Sequence, residues 1–182
     1  MMDSASDKKR RRAVFLDRDG VLNVDHGYVH RLEQIEWCPD APEAVAALNR
    51  GGYWVFVVTN QSGVARGYYD EAAVRSLHRK MAAELADLGA RIDDWRYCPY
   101  HPDGVVQRYR RISDCRKPAP GMLLDLFAAY PVDRTRSFMI GDKDSDMEAA
   151  RAAGVRGVRY RGGSLLSLVQ QALGQHQEPA DR

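Results

Sequence analysis

Residues 13–20 read Ala-Val-Phe-Leu-Asp-Arg-Asp-Gly, an apolar run that ends in two acids and a glycine. The run shows no polar alternation, which is typical of a strand buried on both faces of a parallel sheet. Asp17 then lies at the end of the strand and Asp19 in the following turn, where open α/β sheets bind their ligands. Neighbouring carboxylates repel each other, and a Mg²⁺ ion, which prefers oxygen ligands, relieves that repulsion. The alternative interpretation is an acidic turn without a ligand.

The composition is that of a globular domain with unevenly distributed charge. The chain has 182 residues, of which 45% are hydrophobic and 29% charged. Five of the basic residues stand together at 8–12, so the rest of the chain is nearly neutral. We therefore predict a disordered basic tail at 1–12, one domain at 13–173 and a flexible tail at 174–182, with no nucleic-acid partner.

Apolar runs in the sequence are too short for a membrane protein. None approaches the ~18 residues of a membrane span, and no apolar leader precedes the first predicted strand. We therefore expect a cytoplasmic protein with no membrane partner, and we expect it to be a monomer.

Two further apolar runs end in side chains that suit phosphate. Residues 53–58 predict a buried strand that leads into Thr59 and a polar loop, whose hydroxyl and backbone N–H groups can hold an anion. Residues 137–140 predict another strand, followed directly by Gly-Asp-Lys-Asp-Ser-Asp at 141–146. A separate basic pair, Arg116 and Lys117, is stiffened by prolines and offers a guanidinium fork and a point charge.

Helical patterns lie between these strands. Asp40 is predicted to cap a helix that ends at 51–52, and Asp70 begins a longer helix with an apolar stripe. The alternation indicates an α/β fold, a Rossmann-like parallel sheet flanked by helices with no large cap domain. In that fold Asp17, Thr59 and Asp142 share one sheet edge. Acids, a hydroxyl and a lysine gathered there suit phosphoryl transfer.

Four segments resemble the four motifs of the haloacid dehalogenase superfamily of phosphatases: residues 17–20, Thr59, Lys117 and residues 141–144. Longer stretches are similar to one family within it, the D-glycero-D-manno-heptose-1,7-bisphosphate 7-phosphatases. Those stretches are residues 15–30, 58–67 and 114–122, and the likeness extends over about 13–160.

This resemblance implies a Mg²⁺-dependent phosphatase that acts on a small-molecule sugar bisphosphate in the biosynthesis of nucleotide-activated heptose. It implies Asp17 as the nucleophile, Asp19 as the general acid and base, and Thr59 and Lys117 as groups that steady the phosphoryl group. The implied magnesium ligands are Asp17, Asp19 through its backbone carbonyl, and Asp142. The implied substrate contacts are Asp25, His26, Gly27, Tyr28, Asn60, Gln61, Ser62, Arg116 and Lys143.

The cysteine pattern departs from this family. Its members usually carry a structural zinc site of Cys-x-His followed by Cys-x-Cys, but this chain has tyrosine and serine at two of those positions. Cys98, His101 and Cys115 supply three ligands where structural zinc takes four, so we expect no bound zinc. An odd number of cysteines in a chain expected inside the cell also indicates no disulfide framework.

Other functions remain open from the sequence. Histidinol-phosphate phosphatases share the four motifs and the zinc loop, although residues 25–28 favour the heptose bisphosphate. A sugar-phosphate-binding module without turnover is a second alternative, suggested by the lost zinc ligands. A nucleic-acid 3′-phosphatase is disfavoured by the nearly neutral body of the chain.

Overall fold

Five parallel strands and five α-helices make up the described part of the protein, residues 10–174 of a computed structural model. In chain order they are β1 (Ala13–Leu16), α1 (Ala41–Arg50), β2 (Trp54–Asn60), α2 (Glu71–Asp87), β3 (Asp94–Cys98), α3 (Gly121–Ala129), β4 (Phe138–Gly141), α4 (Asp144–Ala153), β5 (Arg156–Arg159) and α5 (Leu165–Gly174). The strands form a single sheet in the order β3-β2-β1-β4-β5. The predicted α/β fold without a large cap is confirmed.

The central strand β1 decides where the polar side chains emerge. Leu16 is in register with Val57 of β2 and with Ile140 of β4. Because all three strands run in the same direction, the residues that follow them leave the sheet at one edge. Asp17, Thr59 and Asp142 therefore reach the same edge although they are far apart in the sequence.

Helices cover both faces of the sheet, which explains the non-alternating composition of β1. On one face Val14 and Leu16 pack in a cluster that includes residues of α1 and α5. On the other face Ala13 and Phe15 pack with residues of α3 and α4. All four side chains are fully buried, so the edge that carries the polar groups rests on a rigid base.

The structure differs from the sequence-based expectations at the beginning of the domain. Arg11, placed in the predicted tail, pairs with Val132 and stacks its guanidinium 4.3 Å from the Trp54 ring centre. The part of that tail within the described residues therefore lies against the domain, while residues 1–9 and 175–182 lie outside them. Asp40 has a positive φ of 58° and makes no side-chain capping bond within the described residues, so its predicted role as a cap is wrong.

Candidate active site

A buried lysine joins two carboxylates at the carboxyl edge of the sheet. Lys117 Nζ lies 2.9 Å from Asp17 Oδ1 and 2.6 Å from Asp146 Oδ1, and it donates to the Val58 carbonyl at 2.8 Å. Asp17, Asp146 and Lys117 are all buried, with at most 5% of each residue exposed. The predicted convergence of Asp17 and Lys117 is thus present in the structure, with Asp146 as a third member.

Burial changes the proton affinity of these groups. It raises the pKa of Asp17 from 3.8 to about 7, an effect that the charge of Lys117 partly offsets. Burial alone lowers the pKa of Lys117, but the neighbouring charges of Asp17 and Asp146 outweigh burial and raise that pKa. The lysine therefore stays cationic, and Asp17 accepts a proton near neutral pH unless a further cation binds beside it.

Asp17, Asp142 and Asp146 have the arrangement of a cation site. Each can offer one oxygen to an ion, and these oxygens lie within 4.8 Å of one another. Asp142 Oδ1 is buried without a hydrogen-bond partner among residues 10–174, which is costly for a carboxylate that binds no cation. Three carboxylates fit Mg²⁺, which takes oxygen ligands. Gly20 makes room for the site, because a Cβ atom at this position would collide with the Asp142 carboxylate.

Asp146 is a member of the site that the sequence analysis missed. It stands four residues after Asp142, in the first turn of α4, and packs tightly against Gly141. Its Oδ2 also accepts the Lys143 backbone N–H at 3.0 Å. The neighbouring Asp144 instead pairs with Arg159 at the surface. The available signal was a third acid in the stretch 141–146 that directly follows the predicted strand.

Thr59 and Asn60 end β2 beside the lysine. Thr59 is buried and its hydroxyl accepts from Gln61 Nε2 at 2.9 Å. The Asn60 amide donates to the Lys117 carbonyl and accepts from the Lys117 backbone N–H, both at 3.0 Å. These two bonds attach the loop that carries the lysine to the end of the strand. The Asn60 amide holds Lys117 in place, and the expected contact of Asn60 with the substrate stays a prediction.

A cavity of about 590 Å³ opens in front of these groups. Among its lining residues are Asp17, Asp19, Thr59, Lys117 and most of the predicted substrate contacts, namely Asp25, Gly27, Tyr28, Asn60, Gln61, Ser62, Arg116 and Lys143. His26 is not brought to the cavity lining, because its Nε2 faces Glu36 Oε2 at 2.8 Å on the protein surface. The structure therefore gathers the site predicted from the sequence, apart from the His26 side chain.

Curated relatives of the chain carry a consistent name. D-glycero-β-D-manno-heptose-1,7-bisphosphate 7-phosphatase from Rhodopseudomonas palustris is 52% identical over 171 residues, which cover 94% of this chain and 95% of the relative. The protein of the same name from Escherichia coli K12 is 48% identical over 79% of this chain and 75% of its own length. The chain belongs to the heptose-1,7-bisphosphate 7-phosphatase family.

Fold comparisons agree with this family. The D,D-heptose 1,7-bisphosphate phosphatase of B. bronchiseptica, solved with magnesium and phosphate, is 34% identical, covers 93% of this chain and 89% of its own, and superimposes with a TM-score of 0.74. A HAD-like protein from Mesorhizobium loti is 33% identical with a TM-score of 0.81, and the alignment covers 94% of this chain and 90% of that chain. The HAD-hydrolase-like family model matches residues 114–179.

The loop where this phosphatase family has its zinc ligands is closed by a disulfide in this chain. Cys98 and Cys115 are joined, with their Cα atoms 5.6 Å apart, so the expectation of no disulfide was wrong. Ser113, which stands where the family has a cysteine, places its Oγ 3.2 Å from Cys115 Sγ. The two cysteines meet because β3 ends at Cys98 and the loop before Lys117 returns to that strand end. Paired sulfurs do not serve as thiolate ligands, and the absence of bound zinc stays a prediction.

Charged residues at the mouth of the phosphatase cavity differ in their partners. Lys143 Nζ lies 3.1 Å from Asp25 Oδ2. Arg116 is half-buried, and its Nη1 is buried without a hydrogen-bond partner in the described part of the chain. Burial and the nearby Arg66 lower the pKa of Arg116. A guanidinium with a free donor next to a second cation is a favourable place for a multiply charged anion.

Tyr69, which the sequence analysis did not single out, lines the cavity together with Tyr28. Tyr69 donates from its hydroxyl to Gln61 Oε1 at 2.8 Å and stacks on His30, with ring centres 4.7 Å apart. Tyr28, which has a positive φ of 51°, meets Tyr68 edge to face at 4.7 Å. The local sequence gives no signal for these contacts, because they join two loops about forty residues apart.

No helix in residues 10–174 combines the length and the apolar character that a membrane crossing requires.

Proposed function

We propose that this chain hydrolyses the 7-phosphate of D-glycero-D-manno-heptose 1,7-bisphosphate and that it requires Mg²⁺. The observation that carries the proposal is the meeting of Asp17, Asp142, Asp146 and Lys117 at one sheet edge. Membership in a family of this name supports the substrate. The cavity in front of the four side chains has a size typical of a small-molecule site.

Asp17 is proposed as the nucleophile. Its carboxylate attacks the phosphorus atom, the bond between phosphorus and the sugar oxygen breaks, and an aspartyl-phosphate forms. Asp19 donates a proton to the departing sugar oxygen and then takes one from the water that hydrolyses the aspartyl-phosphate. Inorganic phosphate leaves, and both carboxyl groups return to their initial states.

The remaining groups stabilise charge during this reaction. Lys117 and the Thr59 hydroxyl are placed to donate to the equatorial phosphoryl oxygens. Mg²⁺, when bound, would supply positive charge to the same oxygens and would keep Asp17 ionised. Its proposed ligands are Asp17, Asp142 and the Asp19 carbonyl, while Asp146 orients Lys117 through the 2.6 Å ion pair.

The second phosphate is proposed to bind at the mouth of the cavity. Two cationic side chains at the mouth can bind it, namely Arg116, whose Nη1 has a free donor, and Lys143. Asp25 and Tyr28, from the opposite loop, are proposed to contact the sugar, and the Asp25–Lys143 ion pair joins the two loops. An anion that draws Lys143 away leaves Asp25 free to accept from a sugar hydroxyl.

Phosphate release from the heptose bisphosphate tests the proposal, measured with Mg²⁺ and with EDTA. We expect Mg²⁺-dependent release of one phosphate per substrate molecule and loss of the 7-phosphate signal in ³¹P NMR. We expect no turnover by Asp17→Asn. Both anomers and histidinol phosphate serve as comparison substrates. A higher kcat/KM for histidinol phosphate, or full activity of Asp17→Asn, contradicts the proposal.

The monomeric state, the cytoplasmic location and the boundaries of the two tails stay predictions. Size-exclusion chromatography with light scattering tests the monomer, and cell fractionation tests the location. Limited proteolysis followed by mass spectrometry tests whether cleavage is confined to residues 1–12 and 174–182.

A further inference from the structure

Arg18, the residue between the two catalytic aspartates, has a fully buried side chain. Its guanidinium donates to both carboxylate oxygens of Asp19, with Nη2 3.0 Å from Oδ1 and 2.9 Å from Oδ2. It also donates to the Val29 carbonyl at 2.6 Å. Arginine cannot accept hydrogen bonds and remains charged, so each buried N–H needs an acceptor.

His78 supplies an acceptor from the opposite side. Its Nε2 lies 3.2 Å from Arg18 Nη1, and because arginine only donates, Nε2 is the acceptor and the ring proton lies on Nδ1. Burial, reinforced by the charge of Arg18, lowers the pKa of His78 from 6.5 to about 3. The ring is therefore neutral in the working pH range. It is fixed by stacking on Trp95, with ring centres 4.6 Å apart.

Asp19 receives two more donors, and each of them is fixed as well. Asn23 Nδ2 donates to Oδ1 at 3.0 Å, and Gln61 Nε2 donates to Oδ2 at 3.0 Å. Gln61 is buried and is held from behind by the Tyr69 hydroxyl at 2.8 Å. The Asp19 carboxyl is thus fixed by hydrogen bonds from the protein interior while it remains at the cavity wall.

We propose that Arg18, held by its hydrogen bond to His78 Nε2, is the positioning residue that fixes the Asp19 carboxyl group at the cavity wall. The proposal rests on the proposed function, in which Asp19 gives and then takes a proton. His78 does not line the cavity and makes no hydrogen bond to Asp19 among the described residues, so we expect its effect on turnover to pass through Arg18. The contacts thus run from Trp95 to His78 in α2, from His78 to Arg18, and from Arg18 to the Asp19 carboxyl group.

The two half-reactions depend on Asp19 to different degrees, which provides a readout beyond folding. A sugar alkoxide is a poor leaving group and needs the Asp19 proton, whereas p-nitrophenolate leaves without one. Hydrolysis of the aspartyl-phosphate needs the base with either substrate. A displaced Asp19 carboxyl therefore slows the whole reaction of the sugar phosphate but only the second step with p-nitrophenyl phosphate.

The test compares His78→Leu with His78→Gln in the full-length protein with Mg²⁺. Leucine removes the acceptor, while the glutamine carbonyl can still accept from Arg18. For His78→Leu we expect kcat on the heptose bisphosphate to fall about tenfold at nearly unchanged KM, as for the loss of one hydrogen bond. With p-nitrophenyl phosphate we expect a burst of one equivalent at the wild-type rate, followed by steady turnover slowed about tenfold. His78→Gln is expected within about threefold of wild type on both substrates.

Three results overturn the proposal: wild-type kinetics for His78→Leu, equal slowing of the burst and of the steady phase, or the same loss for His78→Gln. If His78→Leu does not fold, Arg18→Lys takes its place, since a lysine keeps the buried charge but cannot hold both Asp19 oxygens and reach His78. Failure of the proposed function is distinguished by the wild type. A wild type that turns over p-nitrophenyl phosphate but not the heptose bisphosphate refutes the substrate, and the burst experiment still decides the role of Arg18.

Discussion

Replacing Lys117 with methionine isolates the role of the buried ammonium, since methionine keeps most of the side-chain volume and removes the charge. In the wild type Nζ lies 2.9 Å from Asp17 Oδ1 and 2.6 Å from Asp146 Oδ1. Breaking a buried ion pair by removing one partner costs about 3–5 kcal/mol, because the remaining charge is left uncompensated. For a domain of this size, about 4 kcal/mol lowers Tm by ~8–16 °C.

The double variant Lys117→Met/Asp146→Asn is the matched control. It removes one of the two carboxylates that the single variant leaves facing each other, while the amide can still accept the Lys143 backbone N–H. We expect the double variant to regain about half of the lost stability, ~2 kcal/mol. Its activity is expected to stay low, because a missing donor to the transferring phosphoryl group costs about 10²–10³ in kcat.

Thermal unfolding at pH 7 in EDTA measures the stability of the three proteins, and phosphate release with Mg²⁺ measures their activity. The deficit of Lys117→Met is expected to shrink toward pH 4, because Asp17, whose pKa burial raises to about 7, is then protonated. A single variant as stable as the wild type, or a double variant no more stable than the single one, refutes the charge argument. A single variant with full activity refutes the role of Lys117 in phosphoryl transfer.

Three other predictions concern the support of the site. Asn60→Ala removes both bonds to the Lys117 main chain and is expected to cost about 1–3 kcal/mol and to lower kcat, as measured by denaturant unfolding and phosphate release; unchanged values contradict this. Because burial raises the pKa of Asp17 to about 7, its contribution to metal-free stability is full below about pH 4 and is lost as the pH rises through about 7. The rise in Tm caused by Mg²⁺ should therefore grow over this window in the wild type, and a pH-independent rise argues against it. Reducing the Cys98–Cys115 disulfide, or replacing Cys115 with alanine, is expected to lower the free energy of unfolding by about 3 kcal/mol. Metal analysis of the purified protein is expected to find no stoichiometric zinc. An unchanged Tm in reductant shows that the disulfide does not form.

Sequence patterns predicted most of the fold because the relevant information is local. A run of apolar residues without alternation identified β1, and a stripe at helical spacing identified α2 from Asp70 onward. The side chain of Asp70 caps that helix through the Ala73 backbone N–H at 2.8 Å. Asp40 also precedes a helix, but it has a positive φ of 58° and makes no side-chain capping bond within residues 10–174, whereas Asp70 has an extended backbone.

Part of the site could also be predicted from the sequence, because parallel strands bring their carboxyl ends to one edge of the sheet. Asp17, Thr59 and Asp142 follow three apolar runs directly, and the structure places them together. Lys117 does not follow a strand, so the direction of the sheet does not predict its position. Its entry into the site depends on the two bonds from Asn60, which join positions 57 residues apart.

By itself, then, the amino-acid sequence determined the order of strands and helices along the chain and the emergence of Asp17 and Asp142 at the sheet edge, since both follow from the positions of the apolar runs. Tertiary structure alone decided which groups became partners: Asp146 with Lys117, His78 with Arg18, and Cys98 with Cys115. Each of these pairs joins distant segments inside the protein, where the loss of water makes an unpaired charge or donor costly. That cost depends on burial, which exists only after the chain has folded.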